Sequence, residues 1–264
     1  MLASLPMYDL PAVRGATDAW WAGLAHHLRA AGVDAPARLS RDPAPQWTDP
    51  ALLFAQACGY PLTHALAGRV TPLCTPVYAA PGCSGARYAS ALVVRADAQA
   101  TALADLAGTA CAIDGRDSHS GCNVLRRMVA PLSRGGAFFA RVLETGSHVA
   151  SIERVAAGEA DLCAVDAVTH GLLARHAPGR LAGTRVLALS RTAPGLPYIA
   201  GPGVGADERA RMRAAIQAAL ADPALADERD ALLLEGAVTL PLAAYDEITA
   251  MKREAIEMGY PELR

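Results

Sequence analysis

The chain has 264 residues, 52% of them hydrophobic, and a formal net charge of −2. That is enough apolar material for one large or two modest α/β domains, and it excludes a disordered chain. The near-neutral charge gives no footing for nucleic acid or an anionic membrane as partner, and no apolar run is long enough to span a bilayer.

Leu2 to Met7 reads as a strand, with Tyr8 and Asp9 at its carboxyl end. Pro11 to Ala31 follows as a helix with Trp20, Leu24 and Leu28 on one face, ended by Gly32. A short strand near 37–39 and a polar loop over 40–47 come next. Leu52, Leu53 and Phe54 predict a buried strand that runs into a polar loop, Gln56 to Pro61. A helix carrying His64 and Leu66 is expected to stop at Gly68, before an extended stretch from Arg69 to Ala79. Tyr88 to Arg95 alternates as a strand does. Ala102 to Leu106 is read as a short helix.

Thr109 to Ile113 reads as a buried strand, and Val124, Leu125, Met128 and Val129 have helical spacing. Between them stand Asp114, Gly115, Asp117, Ser118, His119, Ser120 and Gly121, all turn or cap formers. A helix start leaves backbone N–H groups without intrahelical partners, and these with the helix dipole attract an anion. Hydroxyls at Ser118 and Ser120 add donors, and Gly121 is expected to let a ligand oxygen approach the backbone. His119, between two inward serines, is expected to point outward.

A second junction has the same grammar. Thr145, Gly146, Ser147, His148 and Ser151 follow the apolar pair Val142 and Leu143 and open a helix from Ile152 to Ala157. Either junction alone is an ordinary N-cap. The pair, about 27 residues apart, points to an oxyanion site.

Asp161 to Val165 predicts another strand with Asp166 at its carboxyl end, where α/β proteins place ligand groups. A cap for the following helix, Val168 to Arg175, is the rival role for that carboxylate. Thr184 to Ser190 and Tyr198 to Ala200 read as strands. The tail is expected to be helical: Asp207 to Leu220, Leu225 to Leu234 and Leu242 to Met258.

The alternation of strands and helices predicts mixed or parallel sheets covered by helices, in an α/β chain of two lobes. Crossovers near 88–97 and 186–197 would make lobe 1 from residues 1–92 plus 193–264 and lobe 2 from 93–192. A cleft between lobes, closing about a two-strand hinge, would then hold the ligand. Tyr8, Tyr78, Tyr88 and Tyr198, with Gln56 and Tyr60, are candidates to line it. Trp20, Trp21 and Trp47 read as packing residues.

The six cysteines show neither CxxC nor zinc spacing, so no metal and no cofactor is expected. Met1 to Met7 lacks a basic start and an apolar core, so the chain as written is expected in the cytoplasm, or in the periplasm once an export signal has been removed. Ser-x-Ser-Gly is not the nucleophile elbow of hydrolases.

The order of these motifs resembles the phosphonate/phosphate-type solute-binding proteins of ABC importers. The matching pieces are LASLPMYD, LLFAQACGYPL, IDGRDSHSG, TGSHVAS and DLCAVDAVT, which together span nearly the whole chain. The resemblance implies the type 2 periplasmic-binding-protein fold. It implies a phosphonate, phosphate, sulfonate or carboxylate oxyanion held by Ser118, Ser120 and Gly121, joined by Ser147 and His148. Tyr60 would reach in from the first lobe, and Asp166 would meet a ligand amine. The partner would be an ABC permease if the chain is exported. Asp114, Arg116 and Asp117 around the loop favour a zwitterion, or a sulfonate carrying an amine. Two other functions stay open: a same-fold cytoplasmic lyase resembling chorismate dehydratase, with Asp166 or His148 as base, and a ligand-sensing module.

Overall fold

The structure is a computed structural model that describes residues 1–42, 47–133 and 136–264; the polar loop expected over 40–47 lies partly outside them. The chain divides into two compact units. The first comprises Met1–Ala79, Ser84–Ala86 and Pro194–Ala244, and the second Ala80–Cys83, Arg87–Ala193 and Tyr245–Arg264.

The first unit opens with β1 (Leu2–Ser4) and, after a 3-10 turn at Pro11–Val13, α1 (Arg14–Ala30). Trp20, Leu24 and Leu28 are buried along α1 as their four-residue spacing predicts, and Gly32 ends the helix at φ 73°. No strand is assigned over 37–39, yet Ser40 N donates to Ala3 O at 2.7 Å beside β1. β2 (Leu52–Gln56) is buried along its whole length. The helix expected around His64 lies earlier, as α2 (Gly59–Thr63), because Pro61 is tolerated in a first turn and not beyond it. β3 (Thr71–Tyr78) completes this pass of the chain.

The second unit is built from β4 (Ser90–Arg95), β5 (Ala110–Ile113), α3 (Val124–Val129), β6 (Arg141–Glu144), α4 (His148–Ala156), β7 (Leu162–Asp166), α5 (Ala167–His176) and β8 (Thr184–Leu189). The return pass adds β9 (Tyr198–Ala200), α6 (Ala206–Ala221), α7 (Ala226–Ala231) and β10 (Leu234–Val238) to the first unit. The last helix, α8 (Asp246–Glu257), belongs to the second.

Each unit carries a five-stranded mixed sheet, in the order β1-β2-β9-β3-β10 in the first and β8-β4-β7-β5-β6 in the second. In the first, β9 runs antiparallel to β2 and β3; in the second, β4 runs antiparallel to β7 and β8. In the second sheet the one reversed strand is thus the first laid down there, and in the first sheet both strands of the return pass, β9 and β10, run against β1, β2 and β3. Strands β5, β6 and β7 are parallel neighbours, so the loops after them leave the sheet at one edge.

Two expectations need correction. The helix expected over Leu225 to Leu234 stops at Ala231, and Leu234 opens a strand that was not expected, β10, because residues 234–238 pair with β3 and Leu233 turns the chain at φ 56°. The boundaries 1–92 plus 193–264 and 93–192 misplace two segments. Ser90–Val94 pairs with β7 and so belongs to the second sheet. The final helix is bound to the second unit through Asn123 Nδ2, which donates to Ile248 O at 3.0 Å, and through Glu254, which accepts from Arg127. Ala255, Tyr260 and Leu263 join that unit's apolar core with Leu125 and Val129.

Candidate functional site

β5 and β6 are adjacent and parallel, with Ile113 level with Glu144, so the two serine-bearing junctions emerge side by side. After β5 the chain makes a π-turn over His119–Asn123, an element often found at functional sites, before α3 begins. After β6, Gly146 at φ 85° turns the chain into α4. Thr145 anchors this second junction: its Oγ1 lies 2.7 Å from Ser151 Oγ and donates to Ile113 O at 3.0 Å.

The junctions meet at one bond. Ser120 Oγ and His148 Nε2 lie 2.9 Å apart, with Ser120 only 4% exposed. Asp114 Oδ2 lies 3.5 Å from the same nitrogen. A carboxylate only accepts, so the imidazole proton belongs on Nε2, and Ser120 Oγ accepts it too. Ser118 Oγ accepts from Gly121 N at 3.0 Å, and Ser147 Oγ accepts from Ala150 N at 3.1 Å. All three serines therefore already accept a bond from the protein, and each keeps its O–H to donate. The first-turn N–H groups of His148 and Val149 add donors at the positive end of a nine-residue helix. A cluster with this proton inventory suits a ligand made of acceptor oxygens.

The arrangement does not suit nucleophilic catalysis. In a Ser–His–Asp triad the acid holds Nδ1 while the serine faces Nε2. Here serine and carboxylate crowd the same nitrogen, and His148 Nδ1 is buried and makes no hydrogen bond.

Gly121 has a different reason from the one expected. A Cβ on it would stand 1.8 Å from Asp114 Oδ1, so the space beside its Cα is filled by that carboxylate and not by a ligand oxygen. His119 also departs from expectation: it is fully buried. Asn123 fixes its tautomer. Asn123 Oδ1 accepts from Arg126, so Nδ2 is the donor, reaching Ile248 O and, at 3.1 Å, His119 Nδ1. The proton of His119 is on Nε2, which makes no hydrogen bond. Burial first, then the charges of Arg191 and Arg126, push its pKa down to about 3, against the opposing pull of Glu247.

Asp166, expected to meet a ligand amine, is buried and caps α5: its Oδ1 accepts from Val168 N at 2.7 Å and Thr169 N at 3.2 Å. The capping role is the one the geometry gives.

In the first unit, Tyr8, Gln56, Tyr78, Tyr198 and Trp20 line a cavity of about 20 Å³, room for one water. Tyr8 and Tyr78 pack edge to face with centroids 5.2 Å apart, and Gln56 Nε2 donates to Tyr78 Oη at 3.2 Å and Leu196 O at 3.0 Å. Trp20 is therefore both packing residue and cavity wall. Tyr60 is not in this group; it stacks on His64 at 4.0 Å. Sequence reasoning put Asp114 in the loop but missed its contact with His148 Nε2, and it missed Asn123 as the support of His119. The Asp at a strand end and the i, i+4 spacing of His119 and Asn123 were the available signals.

Among the described residues no helix is long and apolar enough to cross a membrane, and no group of His, Cys, Asp or Glu has the makings of a metal site.

The model of the family "ABC transporter, phosphonate, periplasmic substrate-binding protein" matches residues 51–245. No curated protein sequence matches the chain. Among solved structures, the binding protein component of an ABC phosphonate transporter from Pseudomonas aeruginosa is similar, with a TM-score of 0.77 at 17% identity over 97% of this chain and 87% of that one. PhnD1 from Prochlorococcus marinus, in complex with methylphosphonate, gives 0.74 at 13% identity over 97% and 98%. A Xanthomonas citri protein, XAC2383, bound to chloride gives 0.73 at 15% identity over 97% and 98%. At these identities the structures speak for the fold, that of the periplasmic binding proteins. The family is a transport component and not an enzyme, which sets the lyase alternative aside. By the extent of the family match, the chain belongs to the phosphonate-type periplasmic substrate-binding proteins of ABC transporters.

Proposed function

We propose that this chain captures a small phosphonate-type oxyanion at the paired helix starts of its second unit and delivers it to an ABC permease from the periplasm. Ser118, Ser120 and Ser147 donate their hydroxyl protons, the first-turn N–H groups of α4 add two more donors, and His148 holds Ser120 in place. The observation that carries the reading is the 2.9 Å contact between Ser120 and His148, which makes one donor cluster out of two N-caps.

Bound ligand stabilises the folded state by mass action. Thermal denaturation with methylphosphonate, an aminoalkyl phosphonate, phosphate and a simple carboxylate tests the reading. A concentration-dependent rise in Tm with at least one phosphorus oxyanion is expected. No shift with any of them contradicts it.

A further inference from the structure

The loop that carries Ser118 and Ser120 does not hold its shape alone. It is a π-turn: Asn123 N donates to Ser118 O at 3.0 Å and Val124 N donates to His119 O, each bond spanning five residues where an α-helical bond spans four. A slip of these bonds to the α pattern turns the side chains of the loop by about 100° about its axis. That takes the Ser120 hydroxyl away from His148 Nε2, which it meets at 2.9 Å. The loop backbone therefore has a neighbouring geometry in which the donor cluster is broken, and a further contact has to favour the wide turn.

That contact runs through Asn123. His119 is fully buried, and its Nδ1 accepts from Asn123 Nδ2 at 3.1 Å, four residues on. The other proton of the same amide goes to Ile248 O of α8 at 3.0 Å, and Asn123 Oδ1 accepts from Arg126. Asparagine is the one side chain of this length with two N–H donors and an acceptor oxygen, and here both donors are used. The acceptor on α8 is itself fixed. Glu247, next to Ile248, accepts from both terminal nitrogens of Arg87 at 3.0 and 2.6 Å. Glu254 accepts from Arg127 and, at 3.4 Å, from Arg191. Asn123 thus fastens His119 to a helix pinned in its first and last turns.

We propose that Asn123 is a positioning residue for ligand capture. Buried beneath the loop, it acts through Ser120 and not on the ligand itself: it keeps the π-turn in the geometry that sets Ser120 against His148. Where the binding-competent state is only partly populated, apparent affinity falls by that fraction. A loosened turn therefore weakens binding in a protein that is still folded. The inference rests on the oxyanion site described above and gives Asn123 a role beyond the stability of the fold.

Titration calorimetry with methylphosphonate, well below the Tm of each protein, makes the test. Asn123→Asp keeps the shape and the acceptor for Arg126 but removes both donors, and it is expected to weaken binding about fivefold or more. Val129→Ala opens a hole in the buried core of α3, away from the loop. It is expected to lower the Tm and leave affinity within about twofold. In a Ser120→Ala background Asn123→Asp is expected to add less than about twofold, because the group it aims is gone. Should Asn123→Asp not fold, His119→Leu cuts the same chain at the imidazole, and the same loss is expected of it. Unchanged affinity in the variant tested overturns the inference and leaves the oxyanion site standing. A loss of equal size in Val129→Ala, or one that persists in the Ser120→Ala background, overturns it as well. No binding by the unaltered protein overturns the oxyanion site itself.

Discussion

Asp114 and Gly121 are a matched pair: the carboxylate of one occupies the place where a Cβ on the other would stand, 1.8 Å from Oδ1. Gly121 carries no positive φ, so the glycine is required by close approach and not by backbone conformation. Gly121→Ala forces the carboxylate out of its seat. Overpacking of this kind costs about 1–3 kcal/mol. In a urea melt the variant is expected to lose stability in that range, and Asp114→Ser in the same chain is expected to restore most of it. A near-zero coupling between the two substitutions in a double-mutant cycle counts against the pairing.

Asn123 ties the anion loop to the final helix. It donates to Ile248 O and His119 Nδ1 and accepts from Arg126. Asn123→Ala strands these buried groups, each at a cost of about 1–3 kcal/mol. A loss of at least about 2 kcal/mol by chemical denaturation is the predicted outcome, and a loss below about 0.5 kcal/mol speaks against the network.

His119 governs acid sensitivity. Burial holds its pKa at about 3 in the folded state, below the ordinary imidazole value of 6.5. The unfolded chain thus binds the extra proton first, so stability is complete above about pH 6.5 and is lost as pH falls toward 3. His119→Gln removes the titrating group. Urea melts of both proteins at neutral and mildly acid pH are expected to show a steeper acid loss in the unaltered chain; parallel losses contradict the assignment.

Ser147 works twice, as N-cap of α4 and as ligand donor. Ser147→Ala is expected to cost about 0.5–2 kcal/mol of stability as a lost cap. Ser147→Asp keeps the cap but puts a negative acceptor where a donor stood, so it is expected to restore stability without restoring phosphonate affinity. Affinity that follows stability in both variants shows that the serine serves the helix alone.

Much of the fold could be read from the residues because the strands are short apolar runs bounded by Gly, Pro and Asp. Tyr198–Ala200, Leu162–Asp166 and the Trp20–Leu24–Leu28 face are examples. The tail was misread because LEGAV has no strong local preference, and its strand state comes from pairing with β3, a partner distant in sequence. The assignment of α8 to the second unit rests on Asn123, Arg127 and the core around Leu125, none of which a local pattern reveals.

The site was legible as two Ser-rich helix starts, since caps are local features. Their meeting at Ser120 and His148 follows from β5 and β6 being parallel neighbours, which the strand order alone decides. Gly121 and His119 were misjudged for one reason: what fills the space beside a loop residue is a tertiary fact. Asp166 shows the opposite case, in which the local capping rule was the better guide.

The central claim is that Ser120, braced by His148, donates to a bound oxyanion. Calorimetric titration of methylphosphonate into the unaltered protein and Ser120→Ala tests it most directly. The account predicts one ligand per chain and at least a tenfold loss in the variant, about 1.4 kcal/mol. No binding heat in the unaltered protein, or equal affinity in the two, contradicts it.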